Sequence, residues 1–331
     1  MKSKKPDLYL GITLCMLVLA AVLCIVILLS NSGKKTKPTE SASSSSETTT
    51  QSSDGSETTA PSDSGTASTA GTETGTGSTE PAQPVNLPAI DEAGLKAALD
   101  DSLSGLSSEW QVVVMDPAKE SKVASAVNCD PDSWMTANRM TQVFIMGTVF
   151  QQAKDGTITL ENVIEDVKSM IVENDYAAAD RLTEMLGAGD AEKGREAVKT
   201  FAVDSGVKLG FNRPLNGNAE KKNYVTAQQT ATLLNLLCSG KLVSEAASQQ
   251  MLEILMTKRE DELDPGLTTE NAQWGFITDV EDDVCICTMG VVKLPNRSFV
   301  ISVVCNKPIT TDGAKKKAAE LIGVAERFFS K

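Results

Sequence analysis

Residues 273–305 read QWGFITDVEDDVCICTMGVVKLPNRSFVISVVC, and this stretch decides how the rest of the chain is assembled. Three runs, Gln273 to Thr278, Val284 to Met289 and Phe299 to Cys305, are rich in β-branched and aromatic residues. Runs of that composition between turn residues are strands. Leu294-Pro295-Asn296-Arg297 is the turn between the last two, because Pro and Asn fit turn positions and not the middle of a strand. With that turn centred on Pro295-Asn296, Cys287 is expected opposite Cys305, where either a disulfide or two buried thiols would fit.

Outward from this meander, Gly313 to Phe329 is a closing helix with Asp312 as its expected N-cap. Upstream, Asp91 to Leu103 reads as a helix with Leu95, Ala98, Leu99 and Leu103 on one face. Trp110 to Met115 is a strand ended by Asp116-Pro117, and Lys122 to Val127 is its expected hairpin partner. A long helical stretch follows, broken at Asp155-Gly156, Gly187, Gly206, Gly217 and Gly240. Its last strong helices are Val225 to Cys238 and Ser244 to Met256. Strands at both ends of the region can pair into one sheet, which predicts an α+β fold: an antiparallel sheet flanked by helices, plus an all-helical lobe.

The N-terminal quarter differs. Leu8 to Leu29 is 22 residues without a charge, and about 20 apolar residues span a bilayer as a helix. No A-x-A exit site follows, and Leu14 and Leu23 precede Cys15 and Cys24 where a lipidation box needs a small residue, so an uncleaved membrane anchor is expected. Lys2, Lys4 and Lys5 before the span balance Lys34, Lys35 and Lys37 after it, so charge does not orient it. Residues 30–88 are Ser, Thr, Gly, Glu and Pro with almost no large apolar side chains. Such a segment is a disordered linker, with a reach of about 40 Å for roughly 50 residues. The expected organisation is a short basic terminus at 1–7, a membrane helix at 8–29, the linker at 30–88 and one folded domain at 89–331.

Composition narrows the chemistry. The chain has no histidine, which excludes Ser-His-Asp and Cys-His catalysis and the usual zinc sites. Of its seven cysteines, five fall in the folded region and none forms a CxxC, so no thioredoxin or zinc-ribbon reading arises. Residues 84–331 carry 25 basic and 36 acidic residues, a net of −11. An acidic domain is a poor nucleic-acid binder. No cofactor or metal is expected.

Four segments in order carry a family likeness: Phe144-Ile145-Met146-Gly147 with Val149-Phe150-Gln151-Gln152; Met170-Ile171-Val172 with Ala178, Asp180 and Leu182; Asn223 to Ala227; and Gly275 to Asn306. Over about 245 residues, the domain resembles class A serine β-lactamases and penicillin-binding transpeptidases. That resemblance implies a domain outside the cytoplasm, at a bacterial cell envelope, on a single-pass anchor. It leaves the membrane through Leu8–Leu29, a cell-wall fragment or an envelope protein as the partners to expect.

The family's motifs are replaced in this sequence. Ser-x-x-Lys supplies an acylating serine and a lysine that eases its deprotonation. Arg139 stands at the serine position and Gln142 at the lysine position. Arginine stays protonated and glutamine is no base. No serine occurs from Thr136 to Gly147, and Thr136 and Thr141 lack a lysine three residues on. Ser32-Lys35 and Ser205-Lys208 fit the pattern by chance. The Ser-Asp-Asn triplet becomes Asn174-Asp175-Tyr176, and Lys-Thr-Gly is matched to Gln273-Trp274-Gly275. The deacylating glutamate has no clear counterpart; Glu220 is the only acid between Arg213 and Asn223. The resemblance therefore implies a catalytically degenerate member, with no catalytic residue expected. An active β-lactamase or transpeptidase and an inert stalked scaffold stand as alternatives. Arg139, Tyr176 and Trp274 are expected to converge and narrow the old cleft, with Arg139 stacked on an aromatic ring or paired with Asp175.

Overall fold

A computed structural model describes residues 87–331 apart from 137, 218–220, 258–262, 282–283 and 309. The expected basic terminus, membrane helix and residues 30–86 of the linker lie outside the described residues. Among the described residues no helix is long and apolar enough to cross a membrane.

The elements run α1 (Glu92–Leu103), β1 (Glu109–Asp116), β2 (Ser121–Val127), β3 (Met135–Thr136), α2 (Thr141–Lys154), a 3-10 turn (Leu160–Asn162), α3 (Ile164–Val172), α4 (Tyr176–Leu186), α5 (Ala191–Asp204), β4 (Tyr224–Val225), α6 (Ala227–Cys238), α7 (Glu245–Met256), β5 (Gln273–Glu281), β6 (Cys285–Lys293), β7 (Ser298–Asn306) and α8 (Thr311–Phe329). Strands from the two ends of the domain join, as expected, in one antiparallel sheet of order β2-β1-β7-β6-β5.

Both faces of this sheet are covered, so its strands are apolar almost throughout. Alternation sorts their side chains between two cores. Val112 and Val114 of β1, with Phe299, Ile301, Val303 and Cys305 of β7, meet α1 and α8. Val113, Met115, Val300 and Val304 turn the other way, toward the helical lobe. There α2 is the central helix: every residue from Thr141 to Phe150 is buried.

Capping explains where several helices begin. Asp91 Oδ1 accepts from Gly94 N at 2.8 Å and opens α1. Thr226 and Gln229 form a capping box at the start of α6, so this helix begins after Val225, which sits in β4. The helix α8 corrects an expectation. Thr310 caps it, with φ −145° and ψ 142°, and its hydroxyl accepts from Gly313 N. Asp312 is already in the first turn, where its charge suits the helix dipole.

The cysteine pairing is also corrected. In the β6–β7 ladder Cys287 lies opposite Val304 and Ile286 opposite Cys305. An odd offset puts Cys287 and Cys305 on opposite faces, one in each core. All five described cysteines are free thiols.

Candidate functional site

The N-terminus of α2 meets the C-terminal half of β5. Asp279 of β5 is 2% exposed, and its Oδ2 accepts from Arg139 N at 3.1 Å and also from Asn138 N. Burial pushes the Asp279 carboxyl above the ordinary carboxylate range, although the two backbone donors and the Arg139 charge oppose that rise.

The Arg139 side chain reaches from the start of α2 to two other elements. Its Nε donates to Tyr176 Oη at 2.6 Å and its Nη1 to the Thr278 carbonyl at 3.0 Å. The guanidinium carbon lies 5.4 Å from the Tyr176 ring centroid. The aromatic contact expected of Arg139 is present. This bridge joins three elements: the start of α2, the start of α4, and β5.

Gln142, one helical turn into α2, is fully buried, and neither amide atom has a partner among the described residues. Asn174, just before α4, has φ 56°, a left-handed conformation that Asn tolerates better than most residues, and its Oδ1 is buried without a partner among the described residues. Asp175 caps α4, its Oδ1 accepting from Ala177 N at 2.8 Å, while Oδ2 lies 3.8 Å from Arg181 Nη2.

The sequence matching therefore brings Arg139, Gln142, Asn174, Asp175 and Tyr176 to neighbouring helix starts. It does not bring Gln273, Trp274 and Gly275 there, and this is a correction. Those residues pair with Lys293, Val292 and Val291 beside the β6–β7 turn. Trp274 precedes Thr278 by four strand positions, about 13 Å. It is 40% exposed, so it covers no cleft shared with Arg139. Gly275 has a packing reason: a Cβ there would sit 2.3 Å from the Leu255 carbonyl oxygen at the end of α7.

The strand residues at the site are Thr278, Asp279 and Glu281. Lys222 Nζ lies 2.8 Å from Glu281 Oε1. The sequence marked this point only weakly: Asp279 is the first of four acids from 279 to 283, and nothing local distinguishes the buried one, which needs donors, from its neighbours.

A hydrogen-bonded loop closes one side. Asn223 Oδ1 accepts from Asn212 N at 2.9 Å and Arg213 N at 3.1 Å, and its Nδ2 donates to Asn138 Oδ1 at 2.8 Å. Asn138 Nδ2 donates to the Leu215 carbonyl at 3.2 Å, and Asp180 of α4 accepts from Leu215 N at 2.9 Å. Desolvation raises the Asp180 carboxyl above its ordinary value, with these backbone donors opposing. Glu220 lies outside the described residues. Among the described residues no group of three or more acids or cysteines is placed to hold a metal.

A sequence model of the β-lactamase enzyme family matches residues 163–325. The structure is similar to the β-lactamase of Sphaerobacter thermophilus, at 17% identity and TM-score 0.57, over 71% of this chain and 96% of that one. It is similar to the TLA-1 extended-spectrum β-lactamase, at 15% identity and TM-score 0.61, over 72% and 98%. It is also similar to PBP-A, solved as an acyl-enzyme complex with penicillin G, at 16% identity and TM-score 0.61, over 73% and 98%. No curated protein matches it. Family model, sheet order and buried central helix agree: residues 163–325 match the β-lactamase enzyme family, and the described domain has the fold shared by class A β-lactamases and PBP-A.

Proposed function

We propose that the domain is a non-catalytic β-lactamase-like module that acts by binding at the cell envelope, held there by Leu8–Leu29 and the linker. The observation that carries this reading is the Arg139 bridge. The residue at the start of α2, matched to the family's nucleophile, is a guanidinium bonded to Tyr176 and to the Thr278 carbonyl. A guanidinium forms no acyl intermediate, and the buried Gln142 amide one turn later takes up no proton. The register of β5 puts Thr278, Asp279 and Glu281 beside this point, and none of them is a cation that would attract a substrate carboxylate.

The purified chain, incubated with fluorescent penicillin and then denatured, is expected to retain no label. It is also expected to leave nitrocefin unhydrolysed. A covalent adduct mapped to any serine would overturn this reading. Arg139→Ser with Gln142→Lys is expected to remain inactive, because Tyr176 still occupies the cleft and β5 still lacks the cation. Turnover by that double variant would show that the cleft is open.

A further inference from the structure

The β6–β7 turn is closed by Leu294 N donating to Arg297 O at 2.7 Å. Beside it lies a cavity of about 460 Å³, within the range of roughly 300–1,000 Å³ usual for small-molecule sites. It is far from the Arg139 bridge along the sheet, since Lys293 pairs with Gln273, at the opposite end of β5 from Glu281. Pro117, Leu252 and Val291 give it apolar walls.

Its charged lining is Lys293 and Arg297, with no acid among the lining residues. That is unusual in a region with 36 acids and 25 bases. Neither cation has an ion pair among the described residues. By contrast Lys168, Lys222 and Lys241 each have a carboxylate within 3 Å. Arg297 Nη2 donates to the Pro88 carbonyl near the start of the described residues. That bond uses one of the guanidinium's five donors. The Cys238 thiol in the same wall is pushed up to about 12 by burial and so adds no negative charge at neutral pH.

We propose that this cavity binds the anionic headgroup of an amphiphile. Lys293 and Arg297 hold a phosphate or carboxylate, and the alkyl part lies along Pro117, Leu252 and Val291. The shared chemistry is an anion joined to a hydrocarbon, either a lipid headgroup with the start of its chains or a soluble alkyl phosphate.

The full chain in nanodiscs of zwitterionic lipid is titrated calorimetrically with hexyl phosphate, with hexyltrimethylammonium as a comparator of equal tail. One saturable site for hexyl phosphate is expected, weakened about tenfold by Lys293→Gln through loss of a charge-assisted bond and retained in Lys293→Arg. Inorganic phosphate, which lacks the tail, is expected to bind more weakly. If the natural source is lipid, discs containing phosphatidylglycerol compete with hexyl phosphate; if it is soluble, they do not. No saturable binding of hexyl phosphate, equal binding of the ammonium compound, or an unchanged affinity in Lys293→Gln would each overturn the proposal.

Discussion

The two faces of the sheet handle buried polarity in different ways. Toward α1 and α8, the strand side chains are mostly apolar, the buried Thr278 and Thr288 hydroxyls bond each other at 3.2 Å, and the buried Glu326 carboxylate is fully engaged. Glu326 is 2% exposed, and its Oε1 accepts from Thr268 N at 2.8 Å and Thr269 N at 2.6 Å. Trp110 Nε1 is the exception on that face, buried without a partner among the described residues. Toward α2 and α4, among the described residues Gln142 keeps both amide atoms unpaired, Asn174 keeps its Oδ1 unpaired at a positive φ, and Asp279 is buried against backbone donors. Burying a polar group costs little when it is bonded, as at Glu326, and about 1–3 kcal/mol when it is not. The contrast teaches that the cleft tolerates local cost where the packing face does not. Such cost concentrates at functional positions.

The largest effect is expected on the packing face. Phe329 is 2% exposed, with its ring 4.9 Å from that of Phe299. Phe329→Ala is expected to lose about 3–5 kcal/mol in denaturant unfolding. A loss below about 1 kcal/mol would mean that this core collapses around the cavity and is not close-packed.

The cleft should respond in the opposite direction. Gln142→Met removes the orphaned amide while nearly keeping its volume, and a gain of about 1 kcal/mol is expected. If the variant is instead less stable, the Gln142 amide has a partner, such as an ordered water, and the contrast between the faces narrows.

The smallest effect is a pH dependence. The folded Asp279 carboxyl titrates above its unfolded value of about 3.9. The native state therefore favours its protonated form. That contribution to stability is fully present below the unfolded value and is lost as pH rises through the folded one. Relative to Asp279→Asn, the wild type should lose stability over that rise. A difference that is flat with pH, or that grows in favour of the wild type, would show that the backbone donors and Arg139 outweigh burial.

Much of the fold was legible because it follows from local periodicity. The unbroken apolar run Val112 to Met115 marks a strand covered on both faces, and the structure divides it between the two cores. Leu95, Leu99 and Leu103 recur at helical spacing and share the buried face of α1. The cleft was legible where it rests on helix starts: Arg139, Gln142, Asn174 and Tyr176 sit at fixed offsets from the apolar runs of α2 and α4. It was not legible on β5. A strand repeats every two residues, so its pattern fixes which side chains share a face but not how far along they lie. Gly275 resembled a family glycine, yet its role is to admit the Leu255 carbonyl.

The sequence by itself determined the α+β order of elements, the absence of any histidine-based chemistry, and the placement of Arg139 and Gln142 at the start of the central helix. These are properties of residue identity and of spacing within one element. Only the tertiary structure decided that Arg139 joins Tyr176 to the Thr278 carbonyl, that Trp274 lies away from them, and that Cys287 and Cys305 enter different cores. Each of these depends on the register between strands or on a helix start meeting a strand distant in sequence. Such contacts are set by the packing of whole elements against one another, which no local pattern encodes.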